Sequence, residues 1–132
     1  MINFENVFQK GKFRKCEPGT KLFSTGEIVS ENAISIIKTG QVDLVIPKKD
    51  GAKISIPLGE GELIGVPEVY TGSKRVTEAV CRSQVECYSW NESEFLEALS
   101  IAWELSLYTI RSLASQLKII NSEFVEKIHI NI

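Results

Sequence analysis

The segment most able to do chemistry runs Gly61-Glu62-Leu63-Ile64-Gly65-Val66-Pro67-Glu68-Val69-Tyr70, then Thr71-Gly72-Ser73-Lys74-Arg75-Val76-Thr77. Two glycines flank a short apolar stretch, and a turn leads from there to an arginine. Backbone N–H groups in such a turn cradle a phosphate, and a nearby guanidinium gives it a bidentate partner. The same spacing also suits a surface loop in which Arg75 is solvated beside Lys74. The rest of the chain is poor in reactive constellations. Its one histidine, His129, stands in the C-terminal tail, so no Ser/His/Asp set is visible, and no Walker-type phosphate loop occurs. Cys16, Cys81 and Cys87 lack metal-ligand spacing and read as three reduced, half-buried thiols. These residues predict a protein that is not an enzyme and holds no metal.

The elements that must position this segment follow from where the chain breakers fall. All nine glycines lie at or before Gly72 and all four prolines at or before Pro67. The first part is therefore punctuated into short runs and the last part is not. Val42, Leu44 and Ile46 alternate with Gln41, Asp43 and Val45; Ile54, Ile56 and Leu58 alternate with Lys53, Ser55 and Pro57. Period two with one apolar face is a half-buried strand, and Asp50-Gly51 between the two runs is a hairpin turn. Leu22-Phe23, the Ile34–Ile37 run, Val76–Cys81 and Val85–Trp90 add further short strands. Residues 13–90 thus read as about eight strands, a sandwich or barrel of jelly-roll character.

At Asn91 the pattern changes. Asn91 followed three residues later by Glu94 is a helix start. Nothing breaks a helix from there to about Lys127, apart from a bend near Ser100 where the apolar face shifts. Trp103, Leu107, Ile110, Ala114, Leu117, Asn121, Phe124 and Ile128 are spaced 4-3-4-3-4-3-4. This a/d heptad stripe seeks a partner helix, with Asn121 fixing register. A second set, Ile101, Leu105 and Tyr108, lies on another face and can pack on the β domain. A short helix over residues 3–10 is expected from Phe4, Val7 and Phe8.

The chain has 132 residues, 43% hydrophobic and 24% charged, with a formal net charge of −2. That is one domain able to bury a core, not a disordered tail or a disulfide-packed miniprotein. No run reaches the roughly 18 apolar residues of a membrane span, and the N-terminus has neither the basic nor the apolar region of a secretory signal. A cytoplasmic protein without membrane attachment is expected. The slight acidity argues against a nucleic-acid surface.

On the quoted residues the sequence resembles the cyclic-nucleotide-binding domain of the Crp/Fnr (catabolite activator-like) regulators, over nearly the whole chain. Pro18-Gly19-Thr20-Lys21-Leu22-Phe23-Ser24-Thr25-Gly26-Glu27 is similar to the family's opening strand and first turn. Ile36-Ile37-Lys38-Thr39-Gly40-Gln41-Val42 is similar to its strand junction around a glycine, and Gly61–Gly65 to the entry of its phosphate-binding cassette. Arg75-Val76-Thr77 stands where the family has arginine, serine or threonine, then alanine. The resemblance implies a mainly β fold with α: a double-stranded β-helix or jelly roll over residues 1–99, then a C-terminal dimerisation helix and tail over 100–132.

It also implies ligand-binding positions at Gly65, Val66, Glu68, Arg75, Val76 and Thr77. Asn121 and Ser122 lie in the helical stretch that meets the base, and the ligand implied is cAMP or cGMP. Where the family has a glutamate for the ribose 2′-hydroxyl, this chain has Val66, and the next carboxylate is Glu68. Losing such a bond costs about 1.5–3 kcal/mol, one to two decades of affinity. Arg75 is expected to face an anion inside the roll; otherwise it pairs with Glu62, Glu68 or Glu78 and closes the pocket.

The expected dimer seam comprises Trp103, Leu107, Ile110, Ala114, Leu117, Asn121 and Phe124. Residues 91–132 carry three cations against six glutamates, so no basic recognition helix follows and this chain alone is not expected to bind DNA. The function expected is a dimeric regulatory or sensor module. The alternatives are a scaffolding domain that has lost nucleotide binding and works through a partner protein, or the effector half of a Crp/Fnr transcription regulator.

Overall fold

The computed structural model describes residues 11–130, with side chains as far as residue 122. The helix expected over residues 3–10 and the side chains of Phe124 and Ile128 lie outside the described residues. Eight strands run β1 (Lys12–Cys16), β2 (Lys21–Phe23), β3 (Ile34–Thr39), β4 (Val42–Pro47), β5 (Lys53–Leu58), β6 (Leu63–Ile64), β7 (Glu78–Cys81) and β8 (Val85–Trp90). They form two antiparallel four-stranded sheets, ordered β1-β8-β3-β6 and β2-β7-β4-β5. The β4–β5 hairpin pairs Val42 with Leu58 through to Pro47 with Lys53. Its turn is built as Asp-Gly turns are: Gly51 has φ 87°, and the Asp50 carboxylate accepts the Ala52 N–H at 2.9 Å.

Strand alternation divides the core in two. Ile37, Val42, Leu44, Ile56, Ile64, Ala79, Cys81, Val85 and Cys87 fill the space between the sheets. Ile34, Ile36, Leu63 and Trp90 point the other way, into a second cluster with Phe95, Ala98 and Leu105 of the helices. β3 is thus apolar on both faces, because helices cover what would otherwise be the outside of the sheet.

Three helices complete the described fold: α1 (Val66–Thr71), α2 (Glu92–Ile101) and α3 (Trp103–Ile130). The capping box opens α2: the Asn91 side chain accepts the Glu94 N–H, and the Glu94 carboxylate accepts the Asn91 N–H. The expected bend falls at Ala102, whose backbone is extended (φ −121°, ψ 99°) and separates α2 from α3. Leu105 is then fully buried and Tyr108 half-buried against the second core, while Ile101 is exposed. One element departs from expectation. Residues 66–71, read as part of a turn, form a helix.

Candidate functional site

β6 delivers the chain to Gly65, which caps α1 in the left-handed conformation (φ 93°). A side chain there is excluded on a second count: a Cβ would lie 2.3 Å from the Ala33 carbonyl oxygen. Pro67 occupies the first turn of α1, where its missing N–H costs nothing and its fixed φ suits the helix. Gly72, also left-handed, ends the helix, its N–H bonded to the Glu68 carbonyl, and Ser73 N–H reaches the same oxygen at 3.2 Å. Six residues of helix therefore fit between two glycines, and one turn of it carries Glu68 inward.

The segment beyond α1 is pinned to the loop after β2. Arg75 N–H donates to Glu27 O at 2.8 Å, and Gly26 N–H donates to Arg75 O at 2.7 Å. The Arg75 side chain turns inward and is 2% exposed. Its Nη1 donates to Gly65 O at 2.9 Å and to Glu68 Oε1 at 3.0 Å; Nη2 donates to Ala33 O at 2.6 Å. The guanidinium carbon lies 4.1 Å from the centroid of the Phe23 ring, a cation–π contact. Glu68 is 3% exposed. Of the three glutamates open to Arg75 in the sequence, the structure pairs it with Glu68. The positive charge is neutralised from within the cassette.

The other two glutamates within reach in sequence are engaged elsewhere. Glu78 meets Lys21 at 2.8 Å, and that bond holds the Glu78 carboxyl below the usual range. Glu62 Oε2 accepts a hydrogen bond from Ser112 Oγ of α3 at 2.7 Å. Ser112 Oγ also accepts the Leu63 N–H at 3.0 Å, and Gln116 Nε2 donates to Leu63 O at 3.1 Å and to Ser112 Oγ at 3.0 Å. Both side chains are buried. This clasp ties α3 to the strand that enters the cassette.

Among the positions expected to bind ligand, the structure brings together Gly65, Glu68 and Arg75. Val66 is buried in the helix-side core, Thr77 is buried, and Val76 is exposed. Asn121 and Ser122 are exposed on α3, and Ser122 Oγ bonds back to Lys118 O within the helix. Ser112 and Gln116, further back along α3, are residues that hydrogen-bond the cassette strand. Sequence reasoning missed these two, along with Phe23 and the Ala33 carbonyl. The available signal was a polar pair four residues apart, in register with Leu105 on the inward face of α3.

Beside Glu68 lies a cleft of about 290 Å³, lined in part by Ile28, Val29, Glu68, Val69, Lys74 and Glu92. The outward face of α3 presents the heptad stripe. Trp103, Ile110 and Leu117 are 68%, 64% and 57% exposed, Ala114 and Asn121 are also exposed, and Leu107 is half-buried. All three cysteines are buried, and burial pushes the Cys81 thiol up to about 11 and raises that of Cys87. Among the described residues, no group of three or more His, Cys, Asp or Glu could hold a metal. No described helix is long and apolar enough to cross a membrane.

A search of curated protein sequences finds no match. Among solved structures, the heme domain of CooA from Carboxydothermus hydrogenoformans superposes with a TM-score of 0.75 at 12% identity, covering 97% of this chain and 88% of that one. The Thermus thermophilus catabolite activator protein gives 0.68 at 20% identity, over 96% of this chain and 57% of that one. A regulatory subunit of a cAMP-independent protein kinase A from Trypanosoma brucei gives 0.67 at 22% identity, over 96% and 44%. The chain thus spans about half the length of the activator and of the kinase subunit. The model of the cyclic nucleotide-binding domain matches residues 13–101. That span holds all eight strands save the first residue of β1, together with the Gly65–Arg75 cassette and α2, and by it the chain belongs to the cyclic nucleotide-binding domain family.

Proposed function

We propose that this domain is a regulatory module of the cyclic-nucleotide-binding type that works as a homodimer through α3, with its cassette held closed by Glu68. The observation that carries this reading is the Arg75–Glu68 pair, 3.0 Å apart with both side chains almost wholly buried. An incoming phosphate would have to displace a carboxylate already bonded to the guanidinium, and it would bring a second negative charge beside the first. In a buried site that repulsion is strong. The ribose partner is missing as well, since Val66 points into the core. The Trypanosoma brucei neighbour, described as cAMP-independent, lends the same fold to a regulator of that kind.

The dimer is supported by the exposed stripe on α3. An a/d seam of Trp103, Leu107, Ile110, Ala114, Leu117 and Asn121 on a helix whose other face is clasped to the roll suits a two-fold partner. The test is light scattering at tens of micromolar protein. A dimer is expected, unchanged by 1 mM cAMP, cGMP or a cyclic dinucleotide. A monomer, or a nucleotide-dependent shift between states, contradicts the reading.

A second reading has its own observation. The cleft beside Glu68 is large enough for part of a small ligand, and a ligand bound there could draw Glu68 away from Arg75. Gly65, Glu68, Arg75 and Thr77 would then serve a cyclic nucleotide such as cAMP or cGMP, as the family resemblance implies. Saturable binding with displacement of Glu68 would favour this sensor reading over the closed module.

A further inference from the structure

We infer that Glu68 is a built-in counter-anion that sets the specificity of the cassette: it excludes phosphate-bearing effectors and stands in for them in holding the fold closed. This deepens the reading of the domain as a closed module and rests on it. The inference comes from how Arg75 is held. Its backbone is fixed to Glu27 and Gly26, its Nη2 to Ala33 O, and its guanidinium plane lies against Phe23. None of these contacts involves Glu68. The carboxylate is therefore not what aims the guanidinium; it supplies the charge that the aimed guanidinium requires. A buried arginine left without that charge is strongly disfavoured, and any small oxyanion that can reach Nη1 relieves it.

Glu68 is placed for exclusion by the shape of α1. Gly65 and Gly72 bracket the helix, and Glu68 sits in its first turn with its carbonyl tied to the N–H groups of Gly72 and Ser73. These bonds fix the backbone from which the side chain reaches Arg75 Nη1 at 3.0 Å. A carboxylate in the first turn of α1 thus occupies Arg75, and Glu68 also lines the neighbouring cleft, the side from which an oxyanion would come once the carboxylate is removed.

The test uses Glu68→Ala and Glu68→Gln in the full chain, with inorganic phosphate and sulfate as probes. Thermal midpoints are compared with chloride at matched ionic strength. Both variants should melt below the parent, and 50 mM phosphate or sulfate should raise the midpoint of Glu68→Ala by about 4 °C or more over chloride. The parent should show no such difference. Adding Arg75→Met to Glu68→Ala should abolish the gain. Glu68→Gln keeps the shape and removes the charge, so it should gain as well if Glu68→Ala proves too unstable to measure.

The inference is overturned if neither variant gains more from phosphate or sulfate than from chloride, or if a variant unfolded in chloride stays unfolded in phosphate. It is also overturned if the parent gains as much as the variants. Failure of the closed-module reading looks different: the unmodified protein would bind cAMP or cGMP at micromolar concentration, whatever the variants do with phosphate.

Discussion

A Cβ on Gly65 would lie 2.3 Å from the carbonyl oxygen of Ala33, the oxygen that Arg75 Nη2 holds at 2.6 Å. The closest approach of the cassette to the roll and the anchoring of its arginine therefore share one atom.

Gly65→Ala should consequently be among the most damaging conservative changes in this chain. It meets the Ala33 oxygen, comes within 2.9 Å of Arg75 Nη1, and places a side chain at φ 93°. A cost of about 2 kcal/mol or more is expected from backbone conformation and contact together. Urea denaturation checks it. A loss below about 0.5 kcal/mol would mean that the cassette backbone adapts freely.

Arg75 and Glu68 should behave as a unit. Glu68→Leu or Arg75→Met alone leaves an uncompensated buried charge and should cost about 3–5 kcal/mol, whereas the double variant should cost much less than the sum. A double-mutant cycle in urea reads the coupling, and additive losses would show that the two side chains are independent.

The α3 clasp should matter to the roll as well as to the helix. Ser112→Ala removes the group that accepts Leu63 N–H and donates to Glu62, and Gln116→Ala removes a donor to Leu63 O. Each should cost about 1–3 kcal/mol. Hydrogen exchange at Leu63 N–H should rise in Ser112→Ala. Unchanged exchange there would show that the serine is not what protects the cassette strand.

The roll and the start of α2 were legible in the sequence because their signals are local. Alternation at Val42, Leu44, Ile54 and Ile56, the Asp50-Gly51 turn and the Asn91–Glu94 capping box each specify their own geometry. α1 was hidden because six residues are too few to show a helical period, and its ends are set by two left-handed glycines. The partner of Arg75 could not be chosen from sequence, since Glu62, Glu68 and Glu78 are all near it along the chain. Only the turn of α1 turns Glu68 inward, while Ser112 takes Glu62 and Lys21 takes Glu78. On α3 the heptad stripe marked the outward face, whereas Ser112 and Gln116 gave the inward face no apolar period to read.

The thiols should be silent in the native protein. Cys16, Cys81 and Cys87 are buried, and the Cys81 thiol is held up to about 11. At pH 8 a thiol reagent should label none of the three in the native state and all three in denaturant. Because unfolded thiols ionise near 8.5, the stability that Cys81 contributes is present below that value and is lost as pH climbs toward 11. Rapid native labelling would contradict the burial of this cluster.

Leu117→Glu should separate the proposed α3 dimer without harming the fold, since the side chain is exposed on α3. The dissociation constant should rise about a hundredfold or more, close to 3 kcal/mol. Sedimentation across a concentration series measures it, with circular dichroism to confirm an unchanged melt. A variant that remains dimeric would move the interface away from the 103–121 stripe.

The most direct test of the closed cassette is calorimetric titration of the unmodified protein with cAMP and cGMP up to millimolar concentration, where even a binding free energy of about −4 kcal/mol registers. With Arg75 already neutralised by Glu68, no saturable heat is predicted for either nucleotide. Saturable binding at micromolar concentration, lost in Arg75→Met, would contradict the account.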